Sequence, residues 1–145
     1  MNQNYLLFKG VFLNNKEVEL SIKLVREYLE ECWDTSTAFK CEGIGKGKSR
    51  GQCYVTALLI KKLFGGCILK GKIMWNNVEE THFWNCIDTE EKDFIDLTSD
   101  QYNGDGFNPV ISKGRTYSKP NFRNRRFLML CRRYKDVKGL FSERL

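Results

Sequence analysis

The chain has 145 residues, 41% of them hydrophobic and 13% aromatic, which excludes a disordered polypeptide and makes one domain a better fit than two marginal ones. Its 24 Lys plus Arg against 18 Asp plus Glu leave a net charge of +6, and that charge is unevenly spread. Six cysteines, one histidine and no Cys-x-x-Cys pair offer poor material for a structural zinc site, so neither a metal nor a cofactor is expected.

In chain order, Tyr5 to Leu13, with Gly10 inside it, reads as a short strand or hairpin. Asn14-Asn15 offers a helix cap, and Val18, Ile22, Val25 and Leu29 then share one face of a first helix ending near Glu31. Asp34 to Arg50 is rich in Ser, Thr, Gly and Lys and reads as a loop. Cys53 to Phe64 is the clearest helix, with Val55, Leu58, Leu59 and Leu63 on one face and Gly65-Gly66 as a left-handed stop. Three short runs follow, Cys67 to Met74, Thr81 to Ile87 and Asp93 to Leu97, separated by polar turns at Asn76 to Glu80 and Asp88 to Lys92. They predict an antiparallel meander. After an irregular stretch, Ser118 and Pro120 announce a last helix carrying Phe127, Leu130, Cys131 and Tyr134.

The longest apolar runs, Tyr54 to Ile60 and Phe127 to Cys131, fall far short of the ~20 residues of a membrane-spanning helix. The polar start Met1-Asn-Gln-Asn lacks the basic and apolar regions of a signal peptide. A soluble, cytoplasmic protein with free thiols and no membrane partner is the expectation.

Ten basic residues lie between Lys113 and Lys138 against the single acid Asp136, and Lys40, Lys46, Lys48 and Arg50 precede Gly51. A solvated helix face accounts for the first cluster, since base-stacking aromatics are not interleaved with it, and nucleic acid is not the favoured partner. The second cluster, Lys46, Lys48 and Arg50, stands just before a helix start, where backbone N–H groups and cations act together on an anion. It is not a P-loop, because the spacing is short and no strand precedes it.

A nucleophilic thiol needs a base and gains from a helix N-terminus, whose dipole favours the thiolate. Cys53 opens the best helix, and Gly51 lets the backbone approach a substrate closely. His82, the sole histidine, falls in the second predicted strand and Asp96 in the third. Neighbouring strands would set the carboxylate against the imidazole, giving nucleophile, general base and orienting acid. Strand alternation puts His82 and Trp84 on one face and Phe83 and Asn85 on the other, which makes Trp84 the better cleft wall and Asn85 a supporting or turn residue.

Gly51-Gln52-Cys53-Tyr54-Val55-Thr56-Ala57, His82-Phe83-Trp84 and Phe94-Ile95-Asp96-Leu97-Thr98 resemble the nucleophile, histidine and aspartate motifs of the transglutaminase-like cysteine enzymes. Trp33-Asp34-Thr35-Ser36, Phe64-Gly65-Gly66-Cys67-Ile68-Leu69, His82-Phe83-Trp84-Asn85 and Ile95-Asp96-Leu97-Thr98-Ser99-Asp100-Gln101-Tyr102 make the chain similar to the smaller YunG-like family over residues 33–102. The resemblance implies a single α+β domain with a papain-like core: a central nucleophile helix on a small antiparallel sheet with flanking helices. It also implies Cys53, His82 and Asp96 as a triad and the Trp33 indole N–H as an oxyanion donor. The backbone N–H of Cys53 would be the second donor, and Gln52 is placed either as a further donor or as a loop-shaping residue. Gln101 and Tyr102 would close the cleft's edge.

Two functions are compatible with these residues. One is a thiol enzyme of acyl-transfer type, a hydrolase of amides or esters or a transglutaminase-type transferase, acting on an anionic small molecule or peptide. The other is a non-catalytic protein whose basic loop and last helix hold a nucleotide or another anionic partner.

Overall fold

The computed structural model describes residues 6–8, 11–13, 15–39, 45–87, 94–102 and 110–143. Tyr5, Gly10, Lys40, Cys41, the turn at Asp88 to Lys92 and Asp93 lie outside them. The elements are β1 (Leu6–Phe8), β2 (Val11–Leu13), α1 (Asn15–Cys32), α2 (Cys53–Phe64), β3 (Cys67–Trp75), β4 (Val78–Cys86), β5 (Phe94–Ile95), β6 (Val110–Ile111), β7 (Arg115–Thr116) and α3 (Arg125–Glu143), with a 3₁₀ turn at Ser99–Tyr102. Among the described residues the protein is α+β, with three helices and a small antiparallel sheet.

The apolar stripe of α1 is buried at Val25 and Leu29 and extended by Tyr28 and Cys32. Helix α2 is buried nearly all round, at Val55, Thr56, Ala57, Leu58, Leu59, Ile60 and Phe64, as suits a central element. It ends where Gly65 and Gly66 take φ of +81° and +73°, the glycine stop the sequence announces. One core joins α1 and α2 with Ile68 of β3 and with Phe127, Leu130 and Tyr134 of α3. Among the described residues, no helix is long and apolar enough to cross a membrane.

The meander is present with altered boundaries. β3 and β4 pair from Cys67↔Cys86 to Trp75↔Val78, so a two-residue turn replaces the expected five-residue one. Asn76 and Asn77 both hold positive φ, 53° and 64°, the combination a tight type I′ hairpin requires and Asn tolerates. β5 stops at Ile95, because Asp96 leaves the ladder to accept hydrogen bonds at Oδ1 from the Thr98 N–H and hydroxyl. β6 and β7 both pair with β3 on the edge opposite β4, giving the order β5-β4-β3-β6 with β7 beside the other half of β3. Two-residue strands carry no readable periodicity, and this stretch reads from sequence as irregular.

The last helix starts at Arg125, later than Ser118 and Pro120 suggest, because Asn124 is its cap: the Phe127 N–H donates to Asn124 Oδ1 at 3.1 Å. Its charges are partly internal. Arg133 donates to the Cys32 carbonyl at 3.0 Å and to Ser36 Oγ at 2.7 Å, pairs with Asp34 at 2.7 Å, and so fastens α3 to the segment after α1. Arg126 lies over the Phe39 ring.

Hydrogen bonds from Arg133 and then Ser36 hold the Asp34 carboxyl well below the usual carboxylate range. A depressed native value means the stabilisation is complete above the unfolded carboxyl's pKa of ~3.9 and is lost as pH falls towards the lower native one. With Asp34 half exposed, Asp34→Asn should cost at most about 1 kcal/mol near pH 7. The gap should shrink steadily below pH ~4, which urea melts across that range would read.

Candidate active site

Cys53 is the first residue of α2 and is half-buried. The turn that leads into it is fastened from several sides. Gly51 has φ +74°, and a Cβ there would sit 2.6 Å from the Phe39 carbonyl oxygen, while the Phe39 N–H donates to the Gly51 carbonyl. The close approach expected for a substrate is therefore made by the chain's own loop, and only glycine fits it.

Gln52 is buried. Its Oε1 accepts from Thr37 Oγ1 at 2.8 Å and its Nε2 donates to the Asp34 carbonyl at 2.9 Å. Of the two roles open to Gln52 in the sequence, the loop-shaping one matches these bonds. Trp33 is corrected: its indole N–H, which carries a single hydrogen, donates to Thr56 Oγ1 at 3.1 Å from a buried ring. The tryptophan thus ties the end of α1 to the first turn of α2 and has no N–H left for an oxyanion.

On β4, Asn85 Nδ2 donates to the Ala57 carbonyl and Phe83 packs on Tyr54, so these two residues face α2. His82 and Trp84 alternate to the opposite face. There the fully buried imidazole puts Nε2 2.6 Å from Asp96 Oδ2, so the expected histidine–aspartate pairing across neighbouring strands is present. The Thr98 bonds to Oδ1 hold the other oxygen of that carboxylate. Trp84 stacks on the imidazole at 5.7 Å with its far edge close over Gly71 and Gly114.

The second ring nitrogen meets a group with a larger role than edge-closing. Tyr102 Oη lies 3.3 Å from His82 Nδ1 and 3.2 Å from Glu80 Oε2, with its ring edge-on to the imidazole. A hydroxyl can follow the imidazole through both protonation states. Toward a neutral ring protonated at Nε2, Tyr102 donates to Nδ1. Toward an imidazolium, Nδ1–H donates to Tyr102 and the hydroxyl passes its own hydrogen to Glu80. Burial pushes the phenol up from its ordinary range, and the negative charges of Glu80 and then Cys53 add to this.

Tertiary bonds bring the helix start to this network. The 3₁₀ turn that carries Tyr102 accepts the Lys46 N–H on the Gln101 carbonyl at 2.8 Å, and Ser49 Oγ donates to Asp100 Oδ1 at 2.6 Å. Arg26 of α1 grips Asp100 through both nitrogens, donates to the Leu97 carbonyl, pairs with Glu30 and lies 4.6 Å over the Trp33 ring. Burial alone would raise the Asp100 carboxyl, but the bonds from Arg26 and Ser49 outweigh it and hold it below its ordinary range. Lys46, Lys48 and Arg50 remain exposed on this loop. Glu80, Arg26 and Ser49 carry no local signal in the sequence, whereas Asp100 and Tyr102 lie inside the motif that follows Asp96.

Among the described residues, no group of three or more His, Cys, Asp or Glu is arranged to hold a metal ion. No curated protein and no solved structure matches the chain. The profile of the YunG family, described as YunG protein, matches residues 21–139, a span that takes in all three helices' cores and the whole Cys53, His82 and Asp96 region. The chain belongs to the YunG family.

Proposed function

We propose that this chain is a cysteine-dependent acyl-transfer enzyme with a transglutaminase-like, papain-like core. Cys53 is its nucleophile, His82 its general base and acid, and Asp96 its orienting carboxylate. The observation that carries this reading is the 2.6 Å contact between the sole histidine and Asp96, with Tyr102 on the other ring nitrogen and the 3₁₀ turn that carries it bonded to the loop before Cys53.

The Cys53 thiol transfers its proton to His82 Nδ1, the ring nitrogen not held by Asp96, as the Tyr102 hydroxyl turns its hydrogen from Nδ1 to Glu80, and the thiolate attacks the carbonyl carbon of an amide or ester. The backbone N–H at the start of α2 stabilises the developing oxyanion. The imidazolium protonates the departing amine or alcohol as its bond to carbon breaks, leaving an acyl-thioester on Cys53. Water, or a second amine, then gives up a proton to the imidazole, attacks the thioester and restores the thiol. Water is favoured, because Cys53 is only half-buried. The exposed cations Lys46, Lys48 and Arg50, just before the nucleophile, favour an anionic small molecule or peptide as substrate. The alternative of a purely anion-binding protein is weakened for α3, since Arg133 and Arg126 are engaged within the molecule.

Limited alkylation by iodoacetamide at pH 7, followed by peptide mass mapping, tests this reading. Cys53 should be labelled first. Burial pushes the Cys32 thiol up to about 11 and raises that of Cys131, which keeps both protonated and slow. If another cysteine proves the fastest, the assignment of the nucleophile fails.

A further inference from the structure

The sheet edge carries a second feature that the acyl-transfer reading does not use. β6 pairs with β3 at Ile73 and Met74, and β7 pairs with it at Leu69 and Lys70. Between the two, the chain bows outward at Ser112 to Gly114, opposite Gly71 and Lys72. It is held there by the Ser112 N–H to the Lys72 carbonyl at 2.9 Å and by the Lys72 N–H to Ser112 Oγ at 2.8 Å. The result is a groove of about 280 Å³. From behind, the Trp84 indole fills the space over Gly71 and Gly114, where a Cβ would stand 2.6 and 2.3 Å from ring carbons, so both glycines are needed for the chain to bow at this point.

Four cations line this groove, Lys70, Lys72, Lys113 and Arg115, and no carboxylate does. Lys72 is paired with Glu79 at 3.3 Å, outside the lining. Lys70 lies near the Phe83 and Tyr117 rings, and Lys70, Lys113 and Arg115 have no carboxylate partner among the described residues. Arg26 and Arg133 are each tied to carboxylates, whereas these three cations are gathered on one concavity. Like charges gathered round one concavity repel, and a multiply charged anion removes that repulsion. Ser112 and Thr116 add hydroxyls to the lining.

We propose that this groove is a binding site for a small phosphorylated molecule carrying two or more negative charges, with the phosphate held by Lys70, Lys113 and the Arg115 fork. Charge-assisted bonds from a guanidinium and two ammonium groups, with hydroxyl donors beside them, match a tetrahedral oxyanion. The short gap between β6 and β7 suits a compact ligand and gives no long track for a nucleic-acid backbone. The groove backs onto the Cys53, His82 and Asp96 centre, since Gly71 pairs across the strands with His82 and Trp84 lies behind it, but none of its cations belongs to that centre, so its test is independent of the acyl-transfer reading.

Calorimetric titration of the full chain with inorganic pyrophosphate tests the assignment. Both charge-reversed residues, Lys113 and Arg115, are exposed, so K113E/R115E should fold, with circular dichroism as the check. The expected result is saturable binding that weakens by about tenfold or more in K113E/R115E. Binding should also fall as salt is raised from ~50 to ~200 mM. It should be unchanged in K16E/K23E, two exposed cations of α1 outside both sites, and iodoacetamide labelling of Cys53 should be the same in K113E/R115E as in the parent. Three outcomes overturn the proposal: no binding at millimolar pyrophosphate, equal binding by K113E/R115E, or tighter, equally substitution-sensitive binding of a single-stranded oligonucleotide of about 12 bases. The last would identify a nucleic-acid surface instead.

Discussion

Replacing His82 with asparagine is expected to slow alkylation of Cys53 at pH 7 by about tenfold or more, because the thiol then has no base to take its proton. The loss should shrink as pH is raised, where hydroxide does what the imidazole did. Turnover of any acyl substrate should fall further, by about 10²- to 10⁴-fold, since the same ring must also protonate the leaving group. No second histidine exists to take over. The imidazole is also buried between Trp84 and Tyr102, so the variant will lose some stability, and a thermal melt must accompany the kinetics. Tyr102→Phe separates the two effects: it keeps the ring packing, removes only the hydroxyl at Nδ1 and should leave labelling at pH 7 within a few-fold of the parent. A His82→Asn protein that is folded and alkylates at the parent's rate at pH 7 would sink the base assignment.

Asp96→Asn is the second large effect. The carboxylate is only partly buried, yet both its oxygens are engaged, Oδ2 with the imidazole and Oδ1 with Thr98. Asparagine keeps the shape and the Thr98 contacts, so the fold should survive with a stability change of about 1 kcal/mol. What it removes is the negative charge that fixes the Nε2–H tautomer and stabilises the imidazolium. Turnover should drop by about 10³- to 10⁴-fold, the order found where a triad aspartate is made neutral. Alkylation of Cys53 should fall less, because it needs the thiolate but no proton return. Equal losses in both assays would point to a misplaced ring rather than a lost charge, and no loss in either would remove Asp96 from the mechanism.

The helices were legible because their rules are local. The spacing of Val18, Ile22, Val25 and Leu29, the long apolar run after Cys53 and the Gly65-Gly66 stop each describe one segment with no partner needed. The His82–Asp96 pairing was legible for a similar reason: strand and next strand follow in short order, and adjacent antiparallel strands bring their residues together. Boundaries were less so. The start of α3 lies at Asn124's cap, several residues after Pro120, and β5 is shorter than expected, because side-chain bonds decide such ends.

Whether a donor is free is a question that only the assembled molecule answers. Trp33 and Gln52 have the right groups for an oxyanion site, but the Trp33 N–H donates to Thr56, and the Gln52 amide is held between the Thr37 hydroxyl, which donates to its oxygen, and the Asp34 carbonyl, which accepts from its nitrogen. The Arg26–Asp100–Ser49 clamp and the Glu80–Tyr102–His82 chain likewise join elements whose meeting no local pattern encodes. The basic residues divide in the same way. Composition establishes that the chain is rich in them, while packing turns Arg26 and Arg133 into internal ties and leaves Lys70, Lys113 and Arg115 around one groove. Periodicity acts along a segment and is written into it. Pairing acts across the fold, where each donor's single hydrogen is claimed by whichever acceptor the fold brings within reach.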